Sequence, residues 1–361
     1  MLDFTLALYL GFQHPSWSLP EWSSLTLGKP AALEEPPGIR AVERRLADLT
    51  GCGDVMLATS TLHAFFDLFA MLGNQQTAVL IDRSSYPIAR WGAQHAASGG
   101  SAISFFSSHD LVELRWVLSR SPQLRPLIVT DGLSPATGIT APLAEYAKLA
   151  ALQGGLVLVD DTQALGILGV SASSFCPFGI GGGGSLRYTG VYSGEVIIVN
   201  SLAKAFGVPV AMIGGEAHLI DELRRHSVTR THCSPPSVAV ITAAAQALER
   251  NKLFGESLRA RLARNVAYLR SGLKKLGVAA SRSLFPLQPL RIPSSTAFAL
   301  HSALLHRGVR TVLQRNPDSS AQLSFIVTAR HKLGEIQQAL EVLTNALESG
   351  NRTRDRQELH V

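Results

Sequence analysis

Seven short apolar runs, rich in β-branched residues and separated by segments of helical period, constrain this chain more than any other feature. They are VMLAT (55–59), AVLID (78–82), AISFF (102–106), PLIVT (126–130), LVLVD (156–160), VIIVN (196–200) and VAMIG (210–214). Between them TLHAFFDLFAMLG, SSYPIARWGAQHAA, SHDLVELRWVLSR and APLAEYAKLAALQ carry apolar residues at helical spacing, with a cap or proline near each start. Strands alternating with helices predict an α/β fold, here a mainly parallel seven-stranded sheet with helices on both faces. After residue 235 the pattern changes to a long helix, weaker strands near LQPLRI, VRTVL and AQLSFIV, and a last helix from about Lys332. This predicts a smaller α+β C-terminal domain. The expected limits are an irregular N-terminal arm over 1–45, the large domain over 46–240 and the small one over 241–361.

In open α/β sheets ligands gather beyond the carboxyl ends of the strands, so the residues closing each run are the ones to inspect. LVLV closes on Asp160; VIIV is followed by SLAKAFG, which contains Lys204; VMLA is followed by Thr59, Ser60 and Thr61, which open a helix. Alone, such an aspartate reads as a cap or turn residue and such a lysine as a solvated one. Together they match what pyridoxal 5'-phosphate (PLP) requires. A carboxylate keeps the pyridine nitrogen protonated, so that the ring accepts electrons from the substrate Cα, and a lysine forms the Schiff base and then shuttles the proton. The hydroxyls and free N–H groups of the TST helix start, Ser60 and Thr61 above all, supply an anion site for the phosphate.

The motifs extend the match. VDDTQALGILG resembles VDEAHGxGxxG, and NSLAKAFGVPVAMIGG resembles the TxxKAxGxxGG segment, of the fold-type I PLP enzymes in the class II aminotransferase family, and within it of the α-oxoamine synthases. The resemblance runs through most of residues 40–340. It implies Asp160 on the pyridine nitrogen, Lys204 as the Schiff-base lysine, Ser201 as a hydroxyl beside the phosphate and Gln163 beside the ring hydroxyl. Tyr86 falls where the family stacks an aromatic or histidine on the ring, although a tyrosine before Pro87 also suits a helix cap. TDGLSPATGITAPL is similar to TEGxxSMDGDxAPL and brings Asp131 and Ser134 near the site, with a turn role open for Ser134. THCSPP is similar to STxxPP, making Thr231 and His232 candidates for a phosphate contact from a neighbouring subunit. His63 and His95 lie in helical patterns and read as structural.

Three departures bear on the substrate. The family histidine of DEAH is Gln163 here, an amide that hydrogen-bonds but does not titrate near neutral pH. The family's ARLRxTxTAxH reads AQLSFIVTARH, with Gln322 and Ser324 at the arginine positions, so Arg330 or Arg315 takes over the carboxylate or the substrate has none to grip. An extra glycine-rich segment, SASSFCPFGIGGGGSLRYTGVYSG, reads as a phosphate cradle, a lid or a mobile loop. It neither follows a strand nor opens a long helix, so it is not a dinucleotide fingerprint.

The resemblance implies a PLP-dependent transferase that acylates an amino acid with a thioester on coenzyme A or an acyl carrier protein, and a homodimer. An aminotransferase is the alternative, and a non-catalytic partner of the same fold is disfavoured by retention of both Asp160 and Lys204. Composition narrows the rest. With 361 residues, 46% hydrophobic and 17% charged, the chain has ample core. The net charge of +6 is scattered and densest in the final NRTRDRQELHV, which reads as a solvated end and not as a nucleic-acid arm. Three spaced cysteines imply neither disulfides nor a metal site and suit the cytoplasm. MLDFTLALYLGFQH has no basic lead and is too short to span a bilayer, so no membrane association is expected.

Overall fold

A computed structural model describes residues 1–192, 194–281, 283–315 and 320–358, with 350–358 as backbone alone. The side chains of the basic C-terminal tail therefore lie outside the described residues. The chain divides into two compact units: a larger one of residues 12–134 and 139–256, and a smaller one of residues 1–11, 135–138 and 257–361.

In the larger unit each apolar run forms a strand: β2 (Asp54–Ala58), β3 (Thr77–Asp82), β4 (Ala102–Phe106), β5 (Arg125–Asp131), β6 (Leu156–Asp160), β7 (Val196–Ser201) and β8 (Ala211–Gly215), while β1 (Leu2–Asp3) belongs to the smaller unit. They make one sheet in the order β2-β8-β7-β6-β5-β3-β4, parallel except that β8 runs against both neighbours. Except for the edge strand β4, whose Ala102 and Phe105 are exposed, the strands are buried on both faces, apolar at nearly every position and do not alternate with polar residues. On one face Met56, Val79, Ile81, Leu127, Val129, Leu158, Ile197 and Ile213 pack with the buried sides of three helices, α2 (Thr61–Leu72), α3 (Pro87–Ser98) and α7 (Ala217–His226). The intervening residues, among them Val55, Leu80, Ile128, Val157 and Ile198, are equally buried. That second face carries α1 (Ile39–Thr50), α4 (Leu111–Ser119) and α5 (Leu143–Ala151).

Short helices α6 (Ser185–Thr189) and α8 (Val228–His232) and the long α9 (Val238–Lys275) complete this part. The α1 helix starts within the stretch expected to be irregular, and residues 12–45 pack with the larger unit. The larger unit also runs on to Glu256, beyond the limit of 240, because α9 continues unbroken while the residues it packs against change along its length.

The smaller unit holds an antiparallel sheet β11-β12-β9, formed by β9 (Leu287–Pro289), β11 (Val312–Arg315) and β12 (Ala321–Ile326), with β1 parallel to β10 (Val309–Arg310). The helices α10 (Ser294–His306) and α11 (Leu333–Glu358) accompany it. Its N-terminal segment is pinned by His331, whose Nδ1 accepts the Thr328 N–H at 2.9 Å and whose Nε2 therefore donates to the Asp3 carbonyl at 3.0 Å. No helix among the described residues is long and apolar enough to cross a membrane.

Candidate active site

The strand order lines up the residues that close the strands. Six of the strands point the same way, so β2, β7, β6, β5 and β3 end along one edge at Ala58, Ser201, Asp160, Asp131 and Asp82. Asp131 and Asp160 are register partners on adjacent strands, and Ser201 and Ala58 both pair with Ala211 at the start of β8. The edge thus carries a helix N-terminus and a lysine turn at one end and three carboxylates at the other.

Each carboxylate is held differently. Asp82 accepts from the Ser84 N–H and hydroxyl, both at 2.8 Å, and from the Ser108 hydroxyl at 2.5 Å. Asp131 accepts the Tyr86 backbone N–H at 3.1 Å. Asp160 accepts the Thr162 N–H at 3.1 Å, and the Thr162 hydroxyl in turn accepts the Ser201 N–H at 2.9 Å, which ties the ends of β6 and β7 together. Burial pushes the Asp131 carboxyl well above the usual range, and the charge of Asp160 pushes it further. Asp160 is likewise raised by burial, opposed by its Thr162 hydrogen bonds and by the positive charge of Lys204.

Directly behind them Asp161 is fully enclosed, and burial raises its carboxyl from 3.8 to about 7 against hydrogen bonds from Ser185. The Ser185 N–H donates to both Asp161 oxygens, at 3.0 and 3.3 Å. Two glycines make room for this carboxylate. A Cβ on Gly132 would lie 2.2 Å from Asp161 Oδ1 and one on Gly184 2.1 Å from Oδ2, and Gly184 also holds a φ of +92°. Because the folded state keeps a proton that the unfolded chain releases above 3.8, this group favours the fold at low pH, and its contribution disappears as the pH rises through about 7. Asp161→Asn is expected to flatten that slope, giving urea midpoints that change less with pH than those of the parent across the same window.

The aminotransferase class I and II family matches residues 27–343. The chain belongs to this family. Among its curated relatives are the 8-amino-7-oxononanoate synthases of Nitrosococcus oceani, 30% identical over 313 residues and covering 85% of this chain and 79% of the relative, and of Cellvibrio japonicus, 28% identical over 316 residues and covering 86% and 75%. Among solved structures, the serine palmitoyltransferase of Sphingomonas wittichii superposes with a TM-score of 0.84 at 20% identity, covering 96% of this chain and 87% of that one. The 8-amino-7-oxononanoate synthase of Francisella tularensis gives 0.73 at 18%, covering 97% and 98%. These structural likenesses carry the fold, that of the fold-type I PLP-dependent transferases.

For this family member the residues present fit the cofactor. Asp160 and Asp131 form a buried pair short of positive charge, and a protonated pyridine nitrogen would relieve it beside Lys204. Lys204 itself is half-buried in the turn between β7 and β8. At the other end of the row Ser60 caps α2, accepting the His63 N–H at 3.4 Å and pairing with His63 Nδ1 at 2.8 Å. The Thr61 and Leu62 N–H groups precede the first hydrogen-bonded turn and have no intrahelical acceptor, as a phosphate site needs. Ser60→Ala is expected to lower stability by about 1 kcal/mol through loss of the cap, measurable as a shift in urea midpoint at constant slope.

The other expected residues fall on the same edge or near it. Ser201 Oγ accepts the Ala203 N–H at 3.3 Å, fixing the start of the lysine turn. The Tyr86 side chain is exposed, and its backbone, preceding Pro87 at the start of α3, serves Asp131. Ser134 is buried with its N–H on the Ile139 carbonyl at 3.0 Å, a turn contact. Gln163 is half-buried one residue beyond Thr162. Thr231 is exposed on α8, where its hydroxyl donates back to the Ser227 carbonyl at 3.2 Å, and His232 is exposed beside it. The Thr59 hydroxyl donates to the Ser234 carbonyl at 3.0 Å, so this segment does reach the start of α2. His95 stacks on Phe66, with ring centroids 4.3 Å apart, a packing contact.

The part of the glycine-rich segment from Gly182 to Ser185 is packed, whereas residues 171–175 are exposed. Gly166 and Gly184 donate to the Gly182 and Leu168 carbonyls at 2.7 and 2.8 Å, Val170 and Ile180 exchange hydrogen bonds, and Gly182 to Gly184 are buried. It delivers Ser185 to Asp161. In the smaller unit, Gln322 and Ser324 lie on one face of β12, whereas Arg315 pairs with Ala321 in register and so shares the opposite face with Leu323 and Phe325. Arg330 lays its stem against Gly11 with its head exposed. Asp82, Asp161, Thr162 and Ser185 join these residues; Asp82 is marked locally as the close of AVLID, Asp161 as the second aspartate of VDDT, and Ser185 by nothing local.

Proposed function

We propose that this chain is a PLP-dependent transferase of the α-oxoamine synthase type, which joins the α-carbon of an amino acid to the acyl group of a thioester. The row of Thr61, Ser201, Lys204 and Asp160 along one sheet edge carries the reading, supported by 28–30% identity to curated 8-amino-7-oxononanoate synthases over most of the chain. Bound there, PLP supplies an electron sink for negative charge at the substrate Cα. Lys204 holds the cofactor and afterwards moves the proton at that carbon. Asp160 keeps the ring nitrogen protonated, aided by the Thr162 N–H that orients it. The start of α2, with the Ser201 hydroxyl, binds the phosphate, and Gln163 donates to the ring hydroxyl without taking its proton. The new C–C bond forms as the thiol leaves, and the amino acid gives up its α-proton or its carboxyl as CO2, or gives up both and takes one proton back at the same carbon.

In this reading the protein is a cytoplasmic homodimer, with Thr231 serving the phosphate of the neighbouring subunit. Among the described residues of β9, β11 and β12, none on the Gln322–Ser324 face is an arginine, so the amino substrate is expected to be held without a guanidinium fork from β12.

Purified protein incubated with amino acids and acyl-CoA thioesters should release free thiol and an aminoketone in equal amounts, and borohydride should abolish both a visible absorption band and the activity. Keto acid formed without thiol release would replace this reading with that of an aminotransferase.

A further inference from the structure

The larger unit also has a concave surface at the amino ends of the strands. A cleft of about 260 Å³ opens there, floored by Met71, Leu72, Leu156 and Leu219, with Arg125 and Glu222 at its rim. The four floor residues are half-buried and rest against the main apolar cluster of the unit, so the floor is set by the core and does not depend on a loop. Both rim side chains are exposed, and neither makes an ion pair among the described residues. The cleft is distinct from the candidate active site: Arg125 and Leu156 begin β5 and β6, whereas Asp131 and Asp160 end them, about 13 Å away along a five-residue strand.

An apolar floor beneath one cation and one anion selects its ligand by chemistry. The planar guanidinium of Arg125 suits a carboxylate, and Glu222 suits an ammonium. Glu222 disfavours a polyanion such as a nucleotide, whose charge Arg125 alone offsets only in part, and the small volume leaves no room for a long acyl chain. The volume falls just under the roughly 300–1,000 Å³ of pockets for drug-sized ligands, which leaves room for a smaller molecule. We infer that this cleft binds a free α-amino acid with a branched apolar side chain, its zwitterion bridging Arg125 and Glu222 and its side chain on the Met71–Leu156–Leu219 floor.

The test uses the full-length protein with its cofactor and labelled L-leucine in equilibrium dialysis, with the visible spectrum followed in parallel so that uptake at the cofactor is counted separately. Saturable binding is expected, weakened at least about tenfold by either Arg125→Gln or Glu222→Gln, with the spectral response to leucine unchanged. Both residues are exposed, so melting curves should match the parent and certify the fold. Isocaproate, lacking the amine, and isoamylamine, lacking the carboxylate, should bind more weakly than leucine. The inference is overturned if no saturable binding separate from the spectral response exists, if both variants bind leucine as the parent does, or if either analogue binds as tightly as leucine.

Discussion

Lys204→Ala protein is expected to turn over at least about a thousandfold more slowly than the parent, the scale of losing a positioned proton-transfer group together with the covalent anchor. The fold should survive, because the turn that carries Lys204 is closed by its backbone: Leu202 N–H donates to the Val210 carbonyl at 2.9 Å and Val208 N–H to the Leu202 carbonyl at 3.1 Å. Steady-state rates measured beside far-UV spectra check both halves. Added methylamine should restore part of the rate, since a free amine can take over the proton transfer. A variant that retains more than about a tenth of parental turnover would remove Lys204 from the chemistry.

Asp160→Asn is expected to separate activity from stability. The amide keeps the shape and can still accept the Thr162 N–H, but it loses the charge that would hold a ring nitrogen protonated. Turnover should fall about 10²- to 10³-fold, as when a preorganised electrostatic group is removed. Stability near neutral pH should rise or stay level, because Asp160 is one of the charges that raise the Asp131 carboxyl, and the variant relieves that crowding. Kinetics and thermal midpoints measured on the same preparations decide it. A fall in both together would make Asp160 a structural residue.

The sheet was readable because each of its strands is apolar at almost every position, a pattern that burial on both faces imposes on all but the edge strand β4 and that flanking turns delimit. Asp160, Ser201 and Lys204 were readable for a related reason: they close runs such as LVLV and VIIV, and a polar residue at a strand end in this fold is placed by topology. Asp161 was not. Its environment is built by Ser185, which follows it by 24 residues, and by the absence of side chains at Gly132 and Gly184, none of which leaves a local period. The same non-locality hid the work of the glycine-rich segment, whose composition suits a mobile loop as well as a packed one. The unit boundary near Glu256 falls within α9, where the helical pattern is continuous and only the packing partners change. Tyr86 has a role that its motif position does not suggest, since its backbone N–H makes the contact to Asp131.

The paired carboxylates at the ends of β5 and β6 have a consequence outside catalysis. Lys204 and Arg90 offset the crowded charge of Asp160 and Asp131 only in part, so binding of the cofactor stabilises the protein by the margin that its binding contributes. In a growing cell, newly made chains that have not met the cofactor open more often and are the first to be degraded. The amount of this protein that accumulates would then follow the supply of cofactor, even with transcription and translation held constant.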